Sequence, residues 1–170
     1  MKYLALLLCI AIAVHAYDRD AAFNYAYRYW NTYNKNYHNY NGEGGDCANF
    51  VSQCLIAGEH PPLNIGDFPC RGYPCGVEEP GAINLQQCLR DYFGWEATCG
   101  YLQAPPDNIQ PGDVLVYHSD GCGEGDSHAT FVVQGAPNVQ IACHSSNHYG
   151  IDYNYMADSK PYYNWLHINA

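Results

Sequence analysis

The alternation of apolar and polar residues predicts helices in the first half of the chain and strands in the second half. Asp18 can cap a first helix that runs to about Tyr33. Its apolar face would carry Phe23, Ala26, Tyr27 and Trp30. Asn84, with Gln87 three residues later, resembles a capping box for a later helix that ends near Phe93.

A short helix is also predicted to begin at Cys47 and to end near Gly58. Phe50, Val51 and Cys54 follow Cys47 by three, four and seven residues, so one stripe of the helix carries all four side chains. The segment from 34 to 45 is rich in Asn, Tyr and Gly and is predicted to be a loop, and the segment from 59 to 81 is predicted to be an irregular excursion.

The pattern changes to strands after residue 110. Strands are predicted over residues 113–117, 127–134, 139–145 and 162–168. Helices that precede a run of strands indicate an α+β fold. We therefore expect N-terminal helices, including the one that begins at Cys47, to pack on a small antiparallel sheet.

The two middle strands are predicted to form a hairpin in which Gln134 pairs with Asn138. One face would then be apolar, with three opposed pairs: Ala129 with Cys143, Phe131 with Ile141, and Val133 with Val139. The same register places His128 opposite His144 on the other face. Two adjacent imidazoles suit a triad, in which one takes a proton from a thiol and the other orients the first. They are equally consistent with two polar histidines on a partly exposed strand.

Cys47 is a candidate nucleophile because of its place at the start of a helix. The unpaired N–H groups and the partial positive charge of a helix N-terminus lower the pKa of a thiol. Gly44 and Gly45 leave room for a substrate to approach the backbone. Cys54, in the middle of the apolar stripe, is interpreted as a buried structural cysteine.

The first sixteen residues are typical of a secretory signal peptide. One lysine precedes an apolar run, and Val14-His15-Ala16 resembles a cleavage site. The domains predicted are therefore a signal peptide over residues 1–16 and a single domain over residues 17–170, secreted to the extracellular space. The net charge of −10, which becomes −11 once Lys2 is removed, argues against nucleic acid and anionic membranes as partners.

Nine cysteines in an exported chain indicate disulfide bonds. With Cys9 in the signal peptide and Cys47 kept free for chemistry, Cys54 is the candidate for a second unpaired thiol. Proximity along the chain then suggests Cys70–Cys75, Cys88–Cys99 and Cys122–Cys143. Six cysteines allow fifteen pairings, so other connectivities stay open.

These motifs together resemble the putative amidase domain family, a papain-like group related to the NlpC-type and CHAP-type cell-wall hydrolases. Gly45–Leu55 is similar to the family signature Gly-Asp-Cys-Thr-Asn-Phe-Val-Ser-Gln-Cys-Leu, with Ala48 in place of Thr. The Tyr- and Ala-rich first helix, the Asn-x-x-Tyr loop at Asn34–Tyr37 and Pro111-Gly112-Asp113 also resemble family motifs, as do Ser127-His128 and Cys143-His144-Ser145. The resemblance covers nearly all of residues 17–170.

The resemblance implies a papain-like, NlpC-type fold and a role for each matched residue. Cys47 would be the nucleophile, His128 the base and later the acid, and His144 the residue that orients His128, with Asn147 as an alternative. Asp46 would lie where a substrate's free amine binds, and Tyr37 would also contact substrate. No metal or other cofactor is needed for this chemistry.

The function predicted is that of a secreted cysteine hydrolase that cleaves amide bonds through a thioester. By resemblance, its substrate is peptidoglycan or a muropeptide, cleaved in the stem peptide or at the N-acetylmuramoyl amide. Two alternatives stay open. One is a non-catalytic binding module that uses some of the seventeen tyrosines to hold sugar or peptide. The other is a metal site drawn from His118, Asp120, Glu124, Asp126, His128 and His144.

Overall fold

The computed structural model describes residues 17–58, 69–70, 73–74, 81–92 and 94–169. Within these ranges the α-helices are α1 (Arg19–Tyr29), α2 (Cys47–Ala57) and α3 (Ala82–Gln87), and a π-helical turn, Cys88–Tyr92, continues α3. The strands are β1 (Pro69–Cys70), β2 (Tyr73–Pro74), β3 (Glu96–Tyr101), β4 (Val114–Asp120), β5 (Glu124–Gln134), β6 (Gln140–Cys143), β7 (His148–Asp152) and β8 (Tyr162–His167). A 3-10 turn, Tyr153–Met156, follows β7. The proposed signal peptide lies outside the described residues.

Six strands form one antiparallel sheet in the order β3-β8-β4-β5-β6-β7. The α+β class and the antiparallel sheet are therefore confirmed. The sequence pattern did not predict β3 or β7, the two edge strands. Neither edge strand has a residue in the fully buried class, so neither shows the apolar alternation by which a half-buried strand is recognised.

Helix α1 begins as predicted, because the Asp18 carboxylate accepts a hydrogen bond from the N–H of Ala21 at 2.9 Å. It ends at Tyr29, about one turn earlier than predicted. Its buried residues are Ala22 and Ala26, whereas Tyr27 is 62% exposed. Two alanines on the inward face let α1 approach α2 closely, and the assignment of Tyr27 to that face is wrong.

Helix α3 also differs from its prediction. It begins at Ala82 after Gly81, and the predicted cap Asn84 lies inside the helix. The capping-box assignment of Asn84 and Gln87 is therefore wrong. Leu85 and Gln86 are the buried side chains at the centre of α3, so packing against the sheet determines where this helix starts.

The sheet separates two apolar clusters. The cluster on the helix side includes Phe50, Val51, Leu55, Val116, Phe131 and Leu166. The cluster on the opposite side includes Leu115, Tyr117, Val132, Ile141, Tyr163 and Trp165, and the 3-10 turn packs against it. Both faces of the central strands β4 and β5 are thus buried, which explains why their sequences contain long apolar runs.

The register of the β5–β6 hairpin is one residue away from the prediction. Phe131 pairs with Ala142 and Val132 pairs with Ile141, whereas the predicted register pairs Phe131 with Ile141. A bulge interrupts the ladder after Val132, and Gln134 then pairs two residues beyond the predicted Asn138. The loop is therefore longer than the three-residue connection assumed from the sequence.

This shift moves one strand's side chains to the other face of the sheet. Ala142 joins Phe131 on the helix side, whereas Ile141 and Cys143 pack on the opposite side. His144, two residues after Ala142, consequently contacts Phe50 of α2, whereas His128 lies opposite Tyr117 on the other face. The predicted pairing of His128 with His144 is wrong.

The cysteine connectivity differs from the prediction as well. Cys99 is bonded to Cys122, so the predicted Cys88–Cys99 and Cys122–Cys143 bridges are wrong. Cys88 is disulfide-bonded, and the predicted Cys70–Cys75 bridge lies outside the described side chains. Cys47 and Cys54 are free thiols, as expected, and Cys143 is also free. Within the described ranges, no helix has the length and apolar character that a bilayer span requires.

Candidate active site

Helix α2 presents Cys47 as its first residue, directly after a glycine-rich approach. Gly44 and Gly45 have φ of 112° and 113°, in the left-handed region that side-chain-bearing residues rarely adopt. A Cβ at Gly45 would also lie 3.1 Å from the Ser145 hydroxyl. The turn therefore depends on glycine. It places Cys47, which is only 6% exposed, at the end of the sheet.

Backbone N–H groups close to the Cys47 sulfur favour its thiolate form, and the first of them in effect belongs to Ala129. The ladder between β5 and β6 begins at the Phe131–Ala142 pair, so Ala129 lies beyond its end. Its N–H is therefore available to the sulfur. The N–H groups of Ala48 and of Cys47 itself make similar contacts. The end of the β5–β6 ladder thus forms a binding position for this sulfur.

Burial nevertheless raises the pKa of the Cys47 thiol above its usual value, and the neighbouring Cys143 adds to that effect. The N–H groups of Ala129 and Ala48 oppose the rise but do not cancel it. Burial therefore outweighs the N–H groups at the start of the helix, and the expectation that they favour the thiolate is wrong. In this structure the resting form is the thiol.

His128 immediately precedes Ala129 on β5, which places its backbone beside the group that contacts the Cys47 sulfur. The ring is buried, and its Nε2 has no hydrogen-bond partner among the described residues. Burial lowers the pKa of His128 to about 4, and Lys160 lowers it further, whereas the carboxylate of Asp126 acts in the opposite direction. His128 is thus a neutral imidazole at pH 7, able to accept a proton.

His144 does not contact His128, because both of its ring nitrogens have other partners. Nδ1 lies 2.6 Å from a carboxylate oxygen of Asp46, and Nε2 lies 2.7 Å from the carbonyl oxygen of Tyr29. The ring stacks on Phe50 with centroids 4.2 Å apart. The structure therefore contradicts the orienting role predicted for His144.

Asp46 is fully buried, so it is not available to bind a substrate's amine as predicted. Its Oδ1 accepts hydrogen bonds from the N–H of Tyr40 at 2.9 Å and from Nδ2 of Asn49 at 2.8 Å, and its Oδ2 faces His144. Every polar atom of this carboxylate is used within the protein. The substrate-amine assignment of Asp46 is therefore corrected to an internal one.

Tyr37, the other residue predicted to contact substrate, is half-buried in the loop before α2. Its N–H donates to the carbonyl of Asn34 at 3.0 Å, which closes a turn. Its contact with substrate stays a prediction. Asn147, the alternative third residue, has a buried Oδ1 with no partner among the described residues and a positive φ of 46°.

Sequence analysis missed a polar cluster on the face of the sheet that carries His128. The Tyr155 hydroxyl lies 3.4 Å from the Cys143 sulfur, and the Ser146 hydroxyl lies 3.5 Å from it. The ring centroid of Tyr155 lies 6.4 Å from that of His128 and 5.3 Å from that of His148. Burial raises the pKa of Tyr155 far above its usual value, so its hydroxyl keeps its proton.

No signal in the sequence pointed to this cluster. Cys143 was assigned to a disulfide, and Tyr155 belongs to a turn that follows the unpredicted strand β7. The tyrosine could have been found only from the contact between that turn and the sheet.

The alternative metal site is not assembled in the described part of the chain. No group of three or more His, Cys, Asp or Glu residues lies there in an arrangement that could hold a metal ion. Of the six candidates, His118 hydrogen-bonds to Gln86 at 2.8 Å, Asp126 forms an ion pair with Lys160, and His144 is paired with Asp46.

Similarity to known proteins identifies the family of this chain. Residues 16–167 match the family model described as "Putative amidase domain". A curated relative, the uncharacterized protein YhbB of Bacillus subtilis (strain 168), is 30% identical over 123 residues. That alignment covers 69% of this chain and 37% of the relative, so the chain spans little more than a third of YhbB. No solved structure matches the chain.

Proposed function

Because the chain belongs to the family of the putative amidase domain, which indicates amide hydrolysis, we propose that it is a cysteine amidase in which Cys47 is the nucleophile and His128 the general base. One observation supports this most directly. The N–H of Ala129 acts on a free thiol at the start of a helix, and Ala129 follows a buried imidazole whose Nε2 has no hydrogen-bond partner among the described residues. A nucleophile, a base and backbone donors are thus supplied by two adjoining elements.

The resting site holds a neutral thiol and a neutral imidazole, so the first step is a proton transfer between them. His128 lies on the face of the sheet opposite α2, so the proposed reaction requires its ring to reach the Cys47 sulfur around the end of the β5–β6 ladder. As substrate binds, His128 then takes the proton of Cys47, and the sulfur attacks the amide carbon. The developing oxyanion can be stabilised by the N–H groups in the first turn of α2, since those N–H groups have no partner within the helix.

The reaction then proceeds in two stages, which are the formation of a thioester and its hydrolysis. The imidazolium of His128 donates its proton to the leaving amine, and the C–N bond breaks to leave a thioester on Cys47. Water, deprotonated by His128, attacks the thioester, and the carboxylic acid leaves as the thiol is restored. No metal or other cofactor takes part in this scheme.

With His144 engaged elsewhere, we assign the third role to Asn147. Its Oδ1 and Nε2 of His128 are both buried, and neither has a partner among the described residues. An amide oxygen and an imidazole N–H are complementary, and buried polar groups without partners are costly. A movement that joined the two atoms on substrate binding would satisfy both and would orient the imidazole for proton transfer.

The substrate class and the location are the parts of the proposal that rest on resemblance. We propose peptidoglycan or soluble muropeptides as substrate, cleaved at the stem peptide or at the N-acetylmuramoyl amide, and we propose secretion after removal of residues 1–16. The relation to NlpC-type and CHAP-type enzymes, with their papain-like fold, belongs to the same proposal. Nucleic acid and membranes are not proposed as partners.

Mass spectrometry of muropeptides incubated with the purified protein tests this function. The expected result is release of one pair of products whose masses add up to the mass of the parent plus one water. A Cys47→Ser variant should be inert under the same conditions, and a trapped thioester on the parent should add an acyl mass to the peptide that contains Cys47. If muropeptides bind without any cleavage, the amidase proposal is wrong and the non-catalytic alternative stands.

A further inference from the structure

Asp46, the residue before the proposed nucleophile, is connected to two other elements of the fold. Its carboxylate lies 2.6 Å from Nδ1 of His144, and its own N–H donates to the Ser145 hydroxyl at 2.8 Å. Both contacts reach the turn between β6 and β7, 98 and 99 residues away in the sequence. The start of α2 is therefore attached to this turn by a side-chain contact and a backbone contact.

His144 extends the connection to α1. Its Nε2 lies 2.7 Å from the carbonyl oxygen of Tyr29, the last residue of α1, and its ring stacks on Phe50, one turn into α2. The Tyr29 carbonyl and the Asp46 carboxylate are both natural acceptors. Two protons are therefore needed for the two hydrogen bonds. One lies on Nε2, and the other lies between Nδ1 and the Asp46 carboxyl group. One imidazole thus joins α1, α2 and the β6–β7 turn.

We propose that Asp46 and His144 are positioning residues that hold the first turn of α2, and with it the Cys47 sulfur, at the end of the β5–β6 ladder. The inference rests on the proposed function, and it gives both residues a role different from the one suggested by the family motif. Asp46 fixes the first peptide of α2, and the side chain of Cys47 leaves the backbone at the next residue. A rotation or shift of that first turn would move the sulfur away from the end of the β5–β6 ladder.

The size of the effect follows from the geometry of nucleophilic attack. Reacting groups displaced by about 1 Å lose roughly a hundredfold in rate, because the productive orientation is no longer populated. Asp46 and His144 do not touch the reacting atoms in this scheme. Their loss should therefore lower the turnover number without weakening substrate binding.

Asp46→Asn separates geometry from charge. The amide oxygen can still accept from Tyr40 and Asn49, and the amide N–H can donate to Nδ1 of a neutral His144, whose Nε2–H still donates to Tyr29. All hydrogen bonds of Asp46 and His144 survive in this variant. Only the ionisable proton between Nδ1 and the carboxyl group is lost. If position is what matters, this variant keeps its activity.

The chain offers a matched control in a second buried Asp–His pair. Nδ1 of His167 lies 2.7 Å from Asp113, and the same carboxylate binds Arg19. Asp113 precedes β4 and His167 ends β8, and neither residue contacts α2 in the hydrogen bonds of the structure. His167→Ala should therefore lower the melting temperature, because it removes a buried hydrogen bond to Asp113. It should not change the position of Cys47.

The experiment measures kcat, KM, melting temperature and the pH midpoint of Cys47 labelling by iodoacetamide. We expect Asp46→Ala and His144→Ala to lower kcat by about tenfold or more, with KM within about threefold of the parent. We expect the labelling midpoint to move by about half a pH unit, because both burial and the Ala129 N–H act on the thiol. Asp46→Asn and His167→Ala should keep the parental kcat and midpoint.

Ser145→Ala replaces Asp46→Ala and His144→Ala as the test variant if those two fail to fold. Ser145 is exposed, and its substitution removes only the hydrogen bond from the N–H of Asp46. It should lower kcat about threefold with little change in melting temperature. An unchanged labelling midpoint in folded Asp46→Ala or Ser145→Ala overturns the proposal, and a rise in KM alone restores the amine-binding role of Asp46. The labelling readout does not depend on turnover, so it decides this inference even if the parent proves inactive on muropeptides.

Discussion

His128 lies directly opposite Tyr117 in the pairing of β5 with β4, and their ring centroids are 6.3 Å apart in a stacked arrangement. Tyr117 is fully buried, and Tyr155 closes a second side of the imidazole. An imidazolium in this place would lose most of its hydration, and the cation of Lys160 lowers the pKa further. His128, the base of the proposed mechanism, is therefore uncharged at pH values well above 4.

The acid limit of activity should follow from this environment. Because burial lowers the pKa of His128 to about 4, kcat/KM should stay on its plateau as the pH falls through 6.5 and should decline only near pH 4. A pH series of muropeptide cleavage, with folding checked at each pH by circular dichroism, measures this limit. An acid limb centred near pH 6.5 would mean that His128 is hydrated in the free enzyme or is not the base.

The two cysteines of α2 should respond differently to the same substitution. Cys47→Ser should reduce turnover by about a thousandfold or more, because a hydroxyl is a far weaker nucleophile than a thiol in a cysteine hydrolase. Cys54→Ser should keep turnover but lower the free energy of unfolding by about 1–2 kcal/mol, because its position is fully buried. Initial rates and urea titrations of both variants test this.

The comparison also has a clear negative outcome. Equal loss of activity in both serine variants at equal stability would show that the effect comes from the helix and not from the Cys47 sulfur. Cys143→Ser, also buried on the opposite face of the sheet, adds a control for the thiol near Tyr155.

Stability should decrease as the solution is acidified from pH 6.5 to pH 4. Burial lowers the pKa of His118 to about 4, so between these values the unfolded chain binds a proton that the folded chain does not. The buried ring, which hydrogen-bonds to Gln86 at 2.8 Å, thus favours folding less as the pH falls. His118→Gln should reduce the dependence of the free energy of unfolding on pH without abolishing it, because His128, whose pKa is also lowered to about 4, contributes over the same range.

The matched control for this prediction is His38→Gln. The side chain of His38 is about half exposed and lies 3.3 Å from Glu43. Urea titrations between pH 4 and pH 7 should give parallel curves for the parent and His38→Gln. If His118→Gln also runs parallel to the parent, His118 is protonated in the folded state at a higher pH than its burial implies.

The Cys99–Cys122 bridge should be a significant contributor to stability. It joins residues 23 apart, and a closed loop of that length is worth about 3 kcal/mol in the chain-entropy model. Cys99→Ala with Cys122→Ala should therefore lower the free energy of unfolding by about 2–4 kcal/mol. Since the bridge lies outside the proposed site, kcat of the folded double variant should match the parent.

Non-reducing peptide mapping checks the connectivity directly. The expected result includes a linked peptide pair that contains Cys99 and Cys122, a second disulfide on Cys88, and Cys47, Cys54 and Cys143 alkylated as free thiols. A linked pair containing Cys122 and Cys143, or any disulfide on Cys47, would contradict the structure. The second result would also end the nucleophile proposal.

Several features could be predicted from the sequence because their causes are local. The Asp18 carboxylate caps a helix whose first N–H groups are only a few residues away, and the apolar spacing after Cys47 specifies a helix by its own periodicity. The central strands β4, β5 and β8 were found for the same reason, since burial on both faces gives them apolar runs. Candidates for the nucleophile and the base could therefore be named from the sequence.

The errors arose where a contact links distant parts of the chain. The bulge after Val132 shifted the β5–β6 register, and this one-residue difference moved His144 to the face that α2 covers. The pairing of Cys99 with Cys122 likewise depended on which strand ends lie together.

By itself, then, the sequence determined the class of fold, the helix that carries Cys47 and the chemistry its residues can perform. Only the tertiary structure decided which groups meet. Asp46 and His144 are 98 residues apart, and no local periodicity carries information about a contact at that separation. The packing of α1 and α2 on the sheet determined that this pair is buried, and it also left His128 neutral on the opposite face, because the local environment shifts a pKa far more than the residue type predicts.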